Sequence, residues 1–231
     1  YDGVFIPNWA MWFIVELNEY FERTGDLQLI EAAKSRVYGL INYFKGFENE
    51  YGLLEKLKSW VFIEWSKSND LVQDVSFPTN MLYAKIKLIT AKLYGDESLI
   101  KEAESLQETI RRMSYTSKGF FCDNAYRVDG KLKLSGEYTE SCQYYAFHTG
   151  VATPETFPEL WNCLLNDFGF ERKQTGKWPE IYFANAFIGN YLRLDLISMY
   201  GDKEDLLRNI EGYFYYMAEK TGTLWENDSD Y

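Results

Sequence analysis

Histidine is almost missing from this sequence: one residue, His148, stands among 231. That excludes a multi-histidine metal site, and it leaves no spare parts for a Ser-His-Asp triad. Cysteine is nearly as scarce. Cys122, Cys142 and Cys163 are odd in number and far apart, in no metal-ligand spacing, so they are expected as buried free thiols. Neither a metal nor a cofactor is demanded. Positive charge is also short, with 24 Lys and Arg against 35 Asp and Glu. The resulting net charge of −11 repels phosphate backbones, and no basic patch offsets it, which argues against nucleic acid as a partner. No apolar run reaches the length that crosses a bilayer, so no membrane partner is expected and the chain reads as soluble, cytoplasmic or periplasmic.

What the chain has in quantity is carboxylate and aromatic ring. Trp, Tyr and Phe make up 18% of the residues. Such rings either thicken a core or present flat faces that stack on sugars. Any chemistry has to rest on carboxylates.

A helix junction recurs three times: Arg23-Thr24-Gly25-Asp26-Leu27, Leu93-Tyr94-Gly95-Asp96-Glu97 and Met199-Tyr200-Gly201-Asp202-Lys203. In each, Gly suits the left-handed position that ends a helix and Asp accepts the free N–H groups that start the next. The segments after the junctions carry amphipathic stripes: Ile30, Ala33, Val37, Leu40 and Phe44; Leu99, Ala103, Leu106, Ile110 and Met113; Leu206, Ile210, Tyr213 and Met217. The segments before them, Asn8 to Thr24, Pro78 to Tyr94 and Pro179 to Tyr200, are apolar around most of their circumference. A wet helix paired with a dry one, three times over, predicts concentric layers, an all-α (α/α) toroid. A helical solenoid uses the same pairing but keeps a fixed period, whereas Gly25, Gly95 and Gly201 are unequally spaced.

Two further helices are expected over Glu140–Thr149 and Pro154–Asp167. Long irregular segments lie between, at 49–77, 115–139 and 169–178, the second with a short hairpin around Asp129-Gly130. Loops of this length in a compact domain usually serve function. The length fits a single domain over residues 1–231. Tyr1-Asp2-Gly3 at one end and Asp228-Ser229-Asp230-Tyr231 at the other read as cuts in a longer protein.

Glycoside hydrolysis needs one carboxylic acid beside the leaving oxygen and a second carboxylate to activate water or attack carbon. Acids beside ring-stacking aromatics on loops are therefore the candidates. Three sites fit: Trp60-Val61-Phe62-Ile63-Glu64-Trp65, Trp178-Pro179-Glu180, and Leu224-Trp225-Glu226-Asn227-Asp228. Each also has a plainer reading. Val61-Phe62-Ile63 resembles a buried strand-like run, Glu180 a first-turn acid that favours its helix dipole, and any Trp-Glu pair a loop anchor beside a solvated acid. His148 reads as a helix-terminal histidine among aromatics. Glu140 and Gln143, one turn apart, either contact a ligand or form an ordinary helix start.

The run Ile6-Pro7-Asn8-Trp9-Ala10-Met11-Trp12, then Tyr20 and Thr24-Gly25-Asp26, then Trp60 to Trp65, then Thr223-Leu224-Trp225-Glu226 resembles the ordered motifs of bacterial α-L-rhamnosidases, glycoside hydrolase family 78. The resemblance implies an incomplete (α/α)6, six-hairpin glycosidase-like catalytic domain that hydrolyses terminal α-L-rhamnosides with inversion. Its partner would be a rhamnose-containing oligosaccharide or glycoside. It places the general base at Glu226 and sugar binding at Glu64 with Trp65, where the family more often has Asp; Trp60, Trp225 and Trp178 are the further substrate-binding candidates. The family's acid-bearing segment would precede Tyr1 and a sugar-contacting His segment would follow Tyr231, so these residues alone are expected to be inactive. Other toroid enzymes, such as glucoamylase-like or unsaturated glucuronyl hydrolases, and a non-catalytic carbohydrate-binding or scaffold toroid remain open on the residues themselves.

Overall fold

A computed structural model describes residues 5–227. The chain is mostly helical, with a few short strands. The first two pairs form as the junctions predict: α1 (Pro7–Thr24) with α2 (Leu27–Lys45), and α3 (Phe77–Tyr94) with α4 (Glu97–Ser114). Gly25 and Gly95 sit at φ 67 and 70, where a side chain would be strained. Asp26 accepts from the Leu29 N–H and Asp96 from the Ser98 N–H, each at 3.1 Å.

The third pair, α8 (Ile188–Tyr200) with α9 (Lys203–Ile210), departs from expectation in three places. Gly201 is extended, not left-handed, at φ −93. Glycine is needed there for a different reason: a Cβ would lie 2.8 Å from the Ile197 carbonyl oxygen. Next, α8 starts at Ile188 and not at Pro179, because the Ala184 and Asn185 N–H groups donate to the Glu140 and Glu64 carboxylates and the chain at Ile181–Tyr182 is in a strand. Finally, a π-helical turn over Glu211–Tyr215 joins α9 to α10 (Tyr216–Thr221) and breaks the anticipated stripe. Ile210 is left 41% exposed while Asn209 turns inward and accepts from Arg193 Nε at 2.8 Å.

Between the pairs lie α5 (Glu140–His148), α6 (Pro158–Asn166) and the short α7 (Arg172–Thr175). Strand β1 (Val75–Ser76) pairs with β2 (Asn124–Val128), which pairs with β3 (Lys131–Leu134), all antiparallel. The Val128↔Lys131 register leaves Asp129-Gly130 as the two-residue turn, with φ 48 and 77, the twist that this hairpin requires. A parallel pair joins β4 (Tyr138–Thr139) to β5 (Ile181–Tyr182).

Helices α1, α3, α5 and α8 form the dry layer. Buried positions run around most of α3, whereas α4 buries a single stripe through Leu99, Ala103, Leu106 and Ile110. Neighbours in this layer pack α1 on α3, α3 on α5 and α5 on α8. Tyr191 of α8 reaches back to α1, its ring 6.0 Å from Trp12 and its hydroxyl donating to Glu19 at 3.3 Å. All three cysteines are buried free thiols, as their spacing implied.

The start of α5 is fixed by Asp123, whose buried carboxylate accepts from the Thr139 N–H at 2.7 Å and the Thr139 hydroxyl at 2.8 Å. Burial pushes this carboxyl up to about 8, against the pull of those hydrogen bonds. A folded-state value above the unfolded one means the folded form binds the proton more tightly. The resulting stability is complete below the ordinary Asp range near 4 and is lost as pH rises to about 8. Asp123→Asn should therefore flatten the fall in melting temperature between about pH 5 and pH 8, measured by circular dichroism. Equal slopes in variant and wild type would show that Asp123 does not titrate in this window.

Candidate functional site

The starts of the dry helices meet around the irregular segment 60–66. Val61, Phe62 and Ile63 are buried, as an apolar run demands, though they form no strand. Glu64 follows them into the interior and is 0% exposed. Its carboxylate accepts from Ser141 Oγ at 2.7 Å, from the Gly189 N–H at 3.3 Å and from the Asn185 N–H. Burial raises its pKa, and these donors pull the other way. One acidic side chain thus ties the segment to α5 and to the entry of α8. Gly189 is glycine for the same reason: a Cβ there would stand 2.6 Å from Glu64 Oε1.

Pinned in this way, the segment presents Trp60 at the surface, with Trp65 half-buried and Phe62 buried beneath them. Trp60, Phe62 and Trp65 contact one another, with ring centroids 5.0 to 5.7 Å apart. Trp9 stacks on Phe62 at 6.0 Å and leans on Phe187 at 6.1 Å. Trp60 is 42% exposed and Trp9 37%, so the cluster is a surface platform. Asn185 Nδ2 donates to the Trp65 carbonyl at 2.5 Å and fixes its backbone.

Onto this platform the C-terminal segment brings Glu226. Trp65 Nε1 donates to Glu226 Oε1 at 3.0 Å, across 161 residues of sequence. Trp225 donates from Nε1 to Thr221 Oγ1 at 2.7 Å and packs edge-on against Tyr216 at 5.3 Å. Glu226 itself is exposed. A cavity of about 390 Å³ walled by Phe170, Phe183 and Tyr213 is joined to the platform through two further wall residues, Asn185, which holds the Trp65 carbonyl, and Tyr216, which packs on Trp225.

The chain has the fold of part of a GH78 family rhamnosidase. Superposition on the GH78 family rhamnosidase of Bacillus sp. GL1 gives a TM-score of 0.83 at 19% identity, over 99% of this chain and 24% of that one. A rhamnosidase from Klebsiella oxytoca, with rhamnose bound, gives 0.76 at 14% identity, over 99% of this chain and 42% of that one. The chain thus spans less than half the length of either. No family model and no curated protein matches the sequence.

Of the residues singled out by sequence, Trp60, Glu64, Trp65, Trp225 and Glu226 gather here, but they differ in what they face. The Glu64 carboxylate meets protein groups, while Glu226 and the indoles meet solvent. Trp178 is elsewhere: its Nε1 donates to Asp167 Oδ2 at 3.0 Å and its ring packs on Phe120 at 5.1 Å. Glu180 is exposed in a turn before β5 and starts no helix. Glu140 is an ion-pair partner, 2.6 Å from Arg172 and nearly fully buried. Gln143 is spent on the Phe121 backbone, donating to its carbonyl and accepting from its N–H, each at 2.9 Å. Asn185, Ser141 and Phe187 carried no sequence signal, because each acts through a contact made only by folding. Trp9 stood inside a recognised motif and could have been assigned.

Proposed function

We propose that the protein is a glycoside hydrolase that removes terminal α-L-rhamnosyl groups with inversion, and that this chain is an incomplete (α/α)6 toroid of its catalytic domain. The observation that carries the reading is the 3.0 Å hydrogen bond from the Trp65 indole to Glu226. It sets a solvent-facing carboxylate at a fixed place beside exposed flat rings, which is what activating a water against a bound sugar needs.

In this mechanism Glu226 takes a proton from the water that attacks the anomeric carbon. A second carboxyl, supplied on the resemblance by a segment outside these residues, protonates the leaving oxygen. Inversion places the two carboxyls roughly 6.5 to 9.5 Å apart so that the water fits between. Trp60, Trp65 and Trp225 hold the sugar, and Glu64 acts as a positioning residue that keeps the Trp65 loop on α8.

The test is the anomer first released from an aryl α-L-rhamnoside by the protein as its gene encodes it, followed by proton NMR. Inversion gives β-L-rhamnose first. Initial release of the α anomer, or no hydrolysis, removes the proposal. Trp65→Phe keeps the ring and deletes the N–H that Glu226 accepts. An exposed contact of this kind adds little to folding, so the melting temperature should stay unchanged, while freeing the base from its fixed place should lower the turnover number roughly tenfold. Unaltered turnover would show that the indole does not orient the base.

A further inference from the structure

At the opposite ends of the same four helices lies a second cavity, of about 390 Å³, lined from α1, α3, α5 and α8. Its lining on α1 runs from Val15 to Arg23, six to fourteen residues beyond Trp9, so it lies roughly 9 to 21 Å along the helix from the aromatic platform. At its base His148, 6% exposed, has its Nε2 3.2 Å from Asp195 Oδ2, which makes that nitrogen the donor and leaves Nδ1 as acceptor. Lys85 Nζ lies beside the ring, 3.1 Å from Nδ1 and 3.3 Å from Nε2, and donates to the His148 carbonyl at 2.9 Å. A relay of lysine, histidine and aspartate thus joins three helices on one wall.

The charges in and around the cavity balance. Glu19 pairs with Arg23 at 3.5 Å, Glu22 with Lys92 at 2.6 Å, and Asp195 faces the Lys85–His148 relay. Neither a strong anion nor a strong cation is favoured by such a site. An apolar ligand is disfavoured too, because it would bury these groups without partners. Hydrogen-bonding capacity is left over. A carboxylate offers about four acceptor positions and an ammonium three donors, of which Lys85 places one on the His148 carbonyl. The buried Asn18 Oδ1 has no partner, although its Nδ2 donates to Glu22 at 3.1 Å. A buried acceptor of that kind calls for a donor. Tyr191, 41% exposed and edge-on to Trp12, adds a flat face.

Balanced charge, unspent acceptors and donors on several sides, and one aromatic face describe a receptor for a neutral polyol. We infer that this cavity binds a monosaccharide, with hydroxyls donating to Asn18, Glu19 and Asp195, another accepting from Lys85, and the ring lying on Tyr191. Burial lowers the Lys85 ammonium to about 8, and a hydroxyl accepting from it replaces part of its lost hydration. The site is separate from Glu226, and it does not rest on the proposed reaction.

His148 is the reporter for the test. Its ring signal, assigned by its loss in His148→Gln, is followed by carbon–proton NMR while L-rhamnose or D-glucose is added to the protein as encoded. The expected result is a saturable shift at millimolar sugar that survives in Trp65→Ala and weakens about tenfold in Asn18→Leu and in Asp195→Asn. Glu19→Gln, at the exposed rim, serves where another variant fails to fold. No saturable shift with either sugar overturns the inference. So does a shift that survives Asn18→Leu and Glu19→Gln unchanged, or one that disappears in Trp65→Ala, which would place the sugar at the other mouth.

Discussion

Glu226→Gln should lower the turnover number on an aryl α-L-rhamnoside by roughly a thousandfold, within the 10² to 10⁴ that positioned general bases contribute. Folding should not change. Glu226 is exposed, and the hydrogen bond its Oε1 accepts from Trp65 is one that a glutamine carbonyl also accepts. What the amide lacks is the capacity to take a proton from water at neutral pH, so the loss should fall on kcat with little change in KM. Stopped or continuous assays, beside melting curves, separate these effects. Turnover within twofold of wild type would take Glu226 out of the mechanism and leave the fold likeness standing alone.

The parts of this architecture that were legible in advance are those set by local chemistry. Gly25-Asp26 and Gly95-Asp96 mark helix ends because a left-handed glycine and a capping aspartate act on neighbouring backbone groups. The Asp129-Gly130 turn is equally local. Gly201-Asp202 shows the limit. The aspartate caps Asp205 at 2.8 Å as predicted, but the glycine answers to crowding by Ile197, which no motif encodes. Likewise the delayed start of α8 follows from two carboxylates, Glu64 and Glu140, capturing backbone N–H groups far away in sequence. At the candidate site, Trp65 and Glu226 were nameable as an acid and an indole on loops, while their bond and the burial of Glu64 are products of tertiary packing. Trp178 had the right composition and a different neighbourhood.

The same dependence makes Arg172 the position where a single substitution should cost most stability. Its guanidinium donates to Glu140 at 2.6 Å, to the Lys177 and Trp178 carbonyls at 2.9 and 2.6 Å, and to the Ile181 carbonyl. It also lies over the Phe183 ring at 4.3 Å. Arg172→Leu removes every one of these donors and leaves the Glu140 carboxylate, 1% exposed, with hydrogen bonds from Tyr144 and the Ala184 N–H but without its guanidinium partner. Breaking a buried pair by deleting one partner costs about 3 to 5 kcal/mol, which in a chain of this size lowers the melting temperature by roughly 10 °C. The damage should also reach the platform, because Ala184 precedes Asn185, the residue that fixes the Trp65 carbonyl. Activity should therefore be lost at temperatures where most of the helical signal survives. Combining Arg172→Met with Glu140→Gln removes both charges, so the part of the loss that comes from the unpaired buried carboxylate should return, while the Lys177, Trp178 and Ile181 carbonyls stay without the guanidinium. Urea melts of the single and double variants measure this directly. A single variant costing under about 1 kcal/mol, or a double variant no better than the single, would mean that the pair does not hold this side of the site together.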